Sequence, residues 1–106
     1  MPGRVYLGEL EELILLMVVI IGADAYGVSI TEELEVQTGR VISISAAHAV
    51  LHRLEEKGFV KSKMGGASIT RGGRRKRLFQ ITAYGRQTLE ESRNVRNTIW
   101  AQIPNV

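Results

Sequence analysis

What the chain lacks narrows the field first. It has no cysteine, so neither a disulfide framework nor a thiolate metal site is available, which suits a reducing interior. Its longest apolar run is Leu13–Ile21, about half of the roughly 20 residues that a membrane-spanning helix needs. Arg4, that run and Ala23-Asp24-Ala25 loosely imitate a secretion signal. However, Glu9, Glu11 and Glu12 place acid where such signals carry positive charge. A cytoplasmic protein with no membrane segment is expected. No glycine-rich phosphate loop precedes a helix and no nucleophile elbow is present. Asp24 and the glutamates fall in turns or on wet helix faces, not in acid/base pairs. Neither an enzyme nor a cofactor is expected, and no internal repeat or extended low-complexity segment appears.

Acid is also missing from one stretch, and this absence is the informative one. Residues 1–60 carry four Lys/Arg against nine Asp/Glu, residues 61–77 carry seven against none, and residues 78–106 carry three against two. Half of the basic side chains thus lie in 17 consecutive residues, although the net charge is only +3. A polyanion is the partner such a stretch fits. The acidic first 60 residues argue against a protein that coats nucleic acid indiscriminately. With 106 residues and 44% hydrophobic content, the chain is long enough for one modest core.

The chain is organised around residues 42–82. Ala47, Val50, Leu51 and Leu54 sit at i, i+3, i+4 and i+7, one face of a helix, with Ser45, His48, His52, Arg53 and Glu56 on the others. Ser43 or Ser45 can cap its start and Gly58 its end. After Gly58 the period changes to two. Phe59, Lys61 and Lys63 alternate with Val60, Ser62 and Met64, and Arg77–Ile81 reads as a return strand with Phe79 and Ile81 on one side. Gly65-Gly66 and Gly72-Gly73 read as loop between them.

Before this unit, Leu7–Ile21 reads as a helix with Leu7, Leu10, Ile14, Met17, Val18 and Ile21 in one broad apolar stripe. Leu13, Leu16 and Val19 extend that stripe nearly all round, so the helix is buried in a core or a subunit interface. Gly22–Gly27 is a connector in which Tyr26 can pack back onto that helix. A second helix runs from about Val28 to Thr38 with Ile30 and Leu34 inward. Helix, short turn, helix is the arrangement that puts a second helix into a major groove. Thr82 caps a last helix reaching about Ile103, where Pro104 ends it. Its stripe of Leu89, Ser92, Val95, Ile99 and Ile103 is too long for so small a domain to cover, so a partner subunit is the economical cover. The fold class expected is mainly α with a small β-hairpin: a winged helix-turn-helix over 1–82 (wing about 59–82) and a C-terminal dimerisation helix over 83–106, in one compact unit.

Five motifs carry a family resemblance, in order and with compatible spacing from Leu7 to about Leu89. They are Leu7-Gly8-Glu9-Leu10-Glu11-Glu12-Leu13-Ile14-Leu15, Ala25-Tyr26-Gly27, Leu51–Val60 with its Glu55-Glu56-Lys57-Gly58-Phe59 end, Gly73-Arg74-Arg75-Lys76, and Ile81-Thr82-Ala83-Tyr84-Gly85. Together they resemble the PadR family of winged-helix transcriptional regulators. The resemblance implies a homodimer in which the first and last helices interdigitate. It implies that the third helix reads the major groove while the wing touches phosphates or the minor groove. The short C-terminal part looks like the compact subgroup with a single terminal helix. Where the family usually has Ser-Pro-Gly-Thr-Leu-Tyr-Pro, this chain has Ser43-Ile44-Ser45-Ala46-Ala47-His48-Ala49, so the family's DNA-contacting tyrosine corresponds to His48. The family's two strand aromatics correspond to Leu78 and Phe79.

The candidate DNA-binding residues are therefore Ser43, Ser45, His48, His52 and Arg53 on the helix, with Lys61, Lys63, Arg71, Arg74, Arg75, Lys76 and Arg77 on the hairpin. Against these stand blander readings: a charged run is often only a solvated loop, and Arg53 can pair with Glu56 or Glu32. His48 and His52 have a zinc-compatible i, i+4 spacing, but no third ligand is near in sequence, so no metal is expected. The dimer interface is expected to use Leu10, Ile14, Met17, Leu89, Val95, Ile99 and Ile103. Trp100, the only tryptophan, either packs in that seam or joins Val95 and Ile99 around a small aromatic effector, as in some relatives. The function expected is a homodimeric repressor on a pseudo-palindromic double-stranded DNA operator. The alternative is a winged-helix assembly module that binds no DNA.

Overall fold

A computed structural model describes residues 7–67 and 75–104. Helix α1 spans Glu9–Ile21 and a 3-10 turn follows at Gly22–Asp24. Then come α2 (Gly27–Thr38), α3 (Ile44–Glu56), the strands β1 (Val60–Ala67) and β2 (Arg75–Ile81), and α4 (Ala83–Trp100). This is the mainly helical winged fold that the periodicities predict, with local corrections.

Helix starts are set by single side chains. Glu11 reaches back to accept the Gly8 amide at 2.7 Å, which starts α1 at Glu9 rather than Leu7. Ser29 does the same for the Tyr26 amide at 3.0 Å, so α2 begins at Gly27 rather than Val28. Of the two serine candidates, Ser43 caps α3, its Oγ accepting the Ala46 amide at 3.0 Å. α3 ends where Gly58 turns left-handed at φ 84°. There the Phe59 amide bonds back to the Leu54 carbonyl and the Gly58 amide to that of Glu55.

α1, α2 and α3 enclose the core. Ile14, Leu15, Ile30, Leu34, Leu51, Leu54 and Phe59 are wholly buried there, and each contributes about 1.5–3 kcal/mol of transfer free energy. Ile14 and Met17, expected at the subunit seam, are instead buried in this core at 0% and 4% exposure. The hairpin closes one end of it. Its antiparallel register pairs Val60 with Ile81, Ser62 with Phe79 and Met64 with Arg77, and Phe79 turns inward. The Phe79 amide also donates to the Ala25 carbonyl at 2.8 Å, which ties the free edge of β2 to the α1–α2 connector. Gly65-Gly66, expected in the loop, belong to β1, where the register slips between Met64 and Ala67. A Cβ on Gly65 would meet the Lys76 carbonyl at 3.3 Å and Leu78 at 3.1 Å, so glycine permits the strands to approach there.

The hairpin hands over to α4 through a tight junction. Thr82 Oγ1 donates to the Gly58 carbonyl at 2.7 Å and accepts the Gly85 amide at 2.9 Å. Its own amide donates to the Phe59 carbonyl. A Cβ on Gly85 would lie 2.2 Å from that same carbonyl oxygen, so no other residue fits. The Phe59 and Tyr84 rings pack 5.1 Å apart beside it. α4 then runs outward to Trp100, short of the expected Ile103. Residues 101–103 form a tightened last turn, with Gln102 and Ile103 amides bonding to Ile99 and Trp100 carbonyls, and Pro104 follows that turn.

Candidate nucleic-acid interface

The face of α3 opposite the core is wet and free of acid over its first two turns. Ile44, Ser45, His48, Ala49 and His52 are exposed along it, and Ser43 stands exposed at its N-terminus. Helix N-termini present unpaired amides and a partial positive charge, which suit a phosphate. Ser45 and His52 share one line down this face at i and i+7. His52 carries Glu56 3.6 Å away, at the helix's far end.

His48 is less free than its position implies. Its ring lies 6.4 Å from that of Phe79 and rests on Gly27, where an added Cβ would fall 2.7 Å from Nε2. The glycine of Ala25-Tyr26-Gly27 thus makes room for His48, and α2 fixes how that imidazole stands on α3.

Arg53 is half-exposed, and its acid is neither Glu56 nor Glu32 but Glu11, 3.5 Å away on α1. Glu11 is the buried acid of the molecule's core at 6% exposure, and it takes two 2.8 Å bonds from Lys57. Burial pushes its carboxyl up, but the Lys57 ammonium, the Gly8 amide and the Arg53 guanidinium outweigh this and hold it below the ordinary 4.5. Sequence reading placed Glu11 with the other glutamates on wet helix faces. Its Lys57 partner is 46 residues away, beyond any local pattern.

The hairpin stands beside the C-terminal half of α3. Arg77 donates to Ser62 Oγ at 3.0 Å, and Ser62 donates to Glu55 on α3 at 2.8 Å, so wing and helix are strapped together. Arg75, Lys76 and Arg77 are all exposed. Lys76 Nζ sits 4.4 Å over the Tyr26 ring. Tyr26 therefore supports the wing, a role that sequence reading missed. Arg71 and Arg74 lie outside the described residues. Lys61 and Lys63 are exposed, on the opposite face of the hairpin from Ser62 and Arg77. Among the described residues no cluster of three metal-ligating side chains exists, and no helix is long and apolar enough to cross a membrane.

The far end of the molecule is apolar. Val95, Ile99, Trp100 and Ile103 on or just after α4 are 45–69% exposed, and Leu16 and Ile20 on α1 add 38% and 56%. Leu10 and Leu89 are half-buried against the core. Leu16 and Ile20 were not among the expected seam residues. Their exposure follows from which side of an all-apolar helix the core takes up.

A family model described as the transcriptional regulator PadR-like family matches residues 15–91. A comparison with curated proteins found no match. Among solved structures, a PadR-like regulator from Bacillus cereus is 20% identical with a TM-score of 0.70, covering 87% of this chain and 84% of its own. A transcriptional regulator from Clostridium thermocellum is 25% identical with a TM-score of 0.61, covering 90% and 93%. PadR of Bacillus subtilis, solved in complex with operator DNA, is 20% identical with a TM-score of 0.63, covering 92% of this chain and 50% of its own. These likenesses agree on the winged fold, and the matched family model spans its core, hairpin and the start of α4. The chain belongs to the PadR-like family of transcriptional regulators, which are DNA-binding regulators and not enzymes.

Proposed function

We propose that the chain is a homodimeric repressor that binds a pseudo-palindromic DNA operator from the cytoplasm. The observation that carries this reading is the acid-free basic stretch over residues 61–77, set on a hairpin strapped to the exposed face of α3. The operator-bound Bacillus subtilis relative supports it. In this reading residues 1–82 meet DNA and residues 83–106 pair the subunits. His48 and His52 on α3 address base edges. Ser43, Ser45, Arg53 and the basic hairpin, from Lys61 and Lys63 through Arg71, Arg74, Arg75, Lys76 and Arg77, address phosphates. Val95, Ile99, Trp100 and Ile103, with Leu10 and Leu89, form the seam, extended by Leu16 and Ile20. Two-fold symmetry then sets half-sites about one helical turn, ~10 base pairs, apart. Repression works by occupying the promoter.

The test is fluorescence anisotropy on the DNA upstream of the chain's own gene, against a scrambled duplex, across a salt series. Selective binding is expected, and the triple substitution Arg75→Ala, Lys76→Ala, Arg77→Ala should lower the logarithmic salt slope by about 2–3, near 0.9 per phosphate lost. Equal affinity for both duplexes sinks the operator claim. No binding even at low salt shifts the reading to a winged-helix assembly module, which the concentration of arginine in the wing otherwise disfavours.

A further inference from the structure

The exposed face of α3 is defined as much by the side chains it lacks as by those it carries. From Ser43 to His52 there is no Arg, Lys, Asn, Gln, Asp or Glu. Those are the side chains that identify a base by hydrogen bonding: Arg or Lys on guanine, Asn or Gln on adenine, Asp or Glu on cytosine. Charge enters α3 only near its end, and there it is engaged. Arg53 lies 3.5 Å from Glu11, Glu55 accepts from Ser62 at 2.8 Å, and Glu56 stands 3.6 Å from His52. The exposed side chains ahead of Arg53 are Ile44, Ser45, His48, Ala49 and His52. Ile44 is the first residue of the helix, 46% exposed, one turn before His48 and on the same side. Its place is fixed by its neighbours: Ser43 caps the helix, and Ile42 packs against the core.

Hydrogen bonding from such a face discriminates weakly between bases. A serine hydroxyl serves any of them. An imidazole offers one nitrogen to a given base edge, and the purine N7 it can meet belongs to adenine and guanine alike. The major-groove feature left for this face to tell apart is the 5-methyl group of thymine, which apolar side chains meet. A lone exposed isoleucine is ordinary on a protein surface. At the head of a reading helix without paired-bond readers, it is the side chain suited to that methyl group. Ala49 is apolar too, but it ends at its β-carbon and, five residues on, falls at the other edge of the face. We propose that Ile44 is a specificity-determining residue, packing its branched side chain on a thymine methyl group in the major groove. The proposal rests on the operator-binding function proposed above and names the chemistry by which that site reads sequence. It requires a thymine at one fixed position of each half-site.

The test keeps this claim apart from the regulator reading. The intact chain enriches duplexes from a library with a randomised core, and the enriched duplex is remade with deoxyuridine replacing each thymidine in turn. Uracil differs from thymine only in lacking the methyl group. At one thymine per half-site the exchange should weaken binding about fourfold, the worth of one buried methyl group, and about 15-fold when made in both half-sites. At the same position 5-methylcytosine should bind better than cytosine. Ile44→Ala, at an exposed position where alanine favours the helix, should bind the thymine and uracil duplexes alike. Ile44→Val, which keeps a branched apolar side chain, should still tell them apart. Circular dichroism checks both folds, and low salt keeps binding measurable through the phosphate contacts. Enrichment without any uracil-sensitive thymine, or uracil sensitivity that survives in full in Ile44→Ala, overturns the proposal and leaves the regulator reading standing. No enrichment of any duplex overturns the regulator reading, and the role of Ile44 with it.

Discussion

α1 and α4 carry apolar residues at similar helical spacing, and the protomer treats them in opposite ways. Ile14, Leu15, Met17 and Val18 on α1 are all at 4% exposure or less. On α4 only Gly85 is buried, and Trp100 is 69% exposed. α1 is wrapped by α2, α3 and β2. α4 touches the body through its first turns and through Glu12, which accepts from Ser92 at 2.9 Å and pairs with Arg96 at 3.0 Å. A stripe therefore says that a helix needs cover, while the topology decides whether the chain supplies it.

The sharpest way to break this contrast is to cut equal-sized holes in both helices. Leu15→Ala should cost about 3–5 kcal/mol in urea unfolding, because a wholly buried leucine leaves a cavity. Ile99→Ala should cost the isolated protomer less than about 0.5 kcal/mol, as exposed positions do. A similar loss at both positions in dilute protein would mean that α4 is covered within one chain.

The second experiment turns the α4 surface against itself. Ile99→Asp with Trp100→Asp should weaken self-association at least 100-fold by sedimentation, about 2.7 kcal/mol, while helical content in far-ultraviolet circular dichroism stays the same. Unchanged association would place the subunit seam elsewhere.

Polar ties give smaller effects. Glu11→Gln should cost about 2 kcal/mol, less than the ~3–5 of a fully buried pair, because Lys57 at 29% side-chain exposure can recover water. The folded carboxyl titrates below its ordinary 4.5, so its stabilising share is whole above that pH and disappears as pH falls through the folded value. The gap in urea midpoint between wild type and variant should therefore hold steady above pH 4.5 and close below it. A gap that widens in acid would reverse the assignment. Smallest of all, Glu12→Ala should cost about 0.5–1 kcal/mol and loosen α4 alone, read as faster amide exchange around Ser92 and Arg96.

Local chemistry was legible in the sequence. Thr82 as a cap, Ser43 as one of two candidate caps, Gly58 as a stop, Ile30 and Leu34 as the inward pair and Phe79 on the same strand face as Ile81 all follow from period, capping and turn chemistry within a few residues. What escaped depends on distance along the chain. Glu11 meets Lys57 only because α1 crosses the end of α3, and Tyr26 meets Lys76 only because β2 docks on the α1–α2 connector. Gly65-Gly66 looked like loop because glycine pairs usually are. Here the close approach of the opposite strand is what calls for a residue without a side chain. Among the candidate site residues, exposure of the wing and the α3 serines was foreseeable. The packing of His48 on Gly27 was not, since nothing in sequence joins positions 21 apart.

The junction at Phe59, Thr82 and Gly85 makes a rigid elbow. The end of α3, the root of the wing and the start of α4 share hydrogen bonds through one threonine, and backbone meets backbone where Gly85 stands. A torque applied to the far end of α4 has no hinge there to absorb it. In the dimer proposed above, the pitch between the two α3 helices would then be set where the α4 arms meet, and a rotation of those arms would swing α3 and the wing together as one blade.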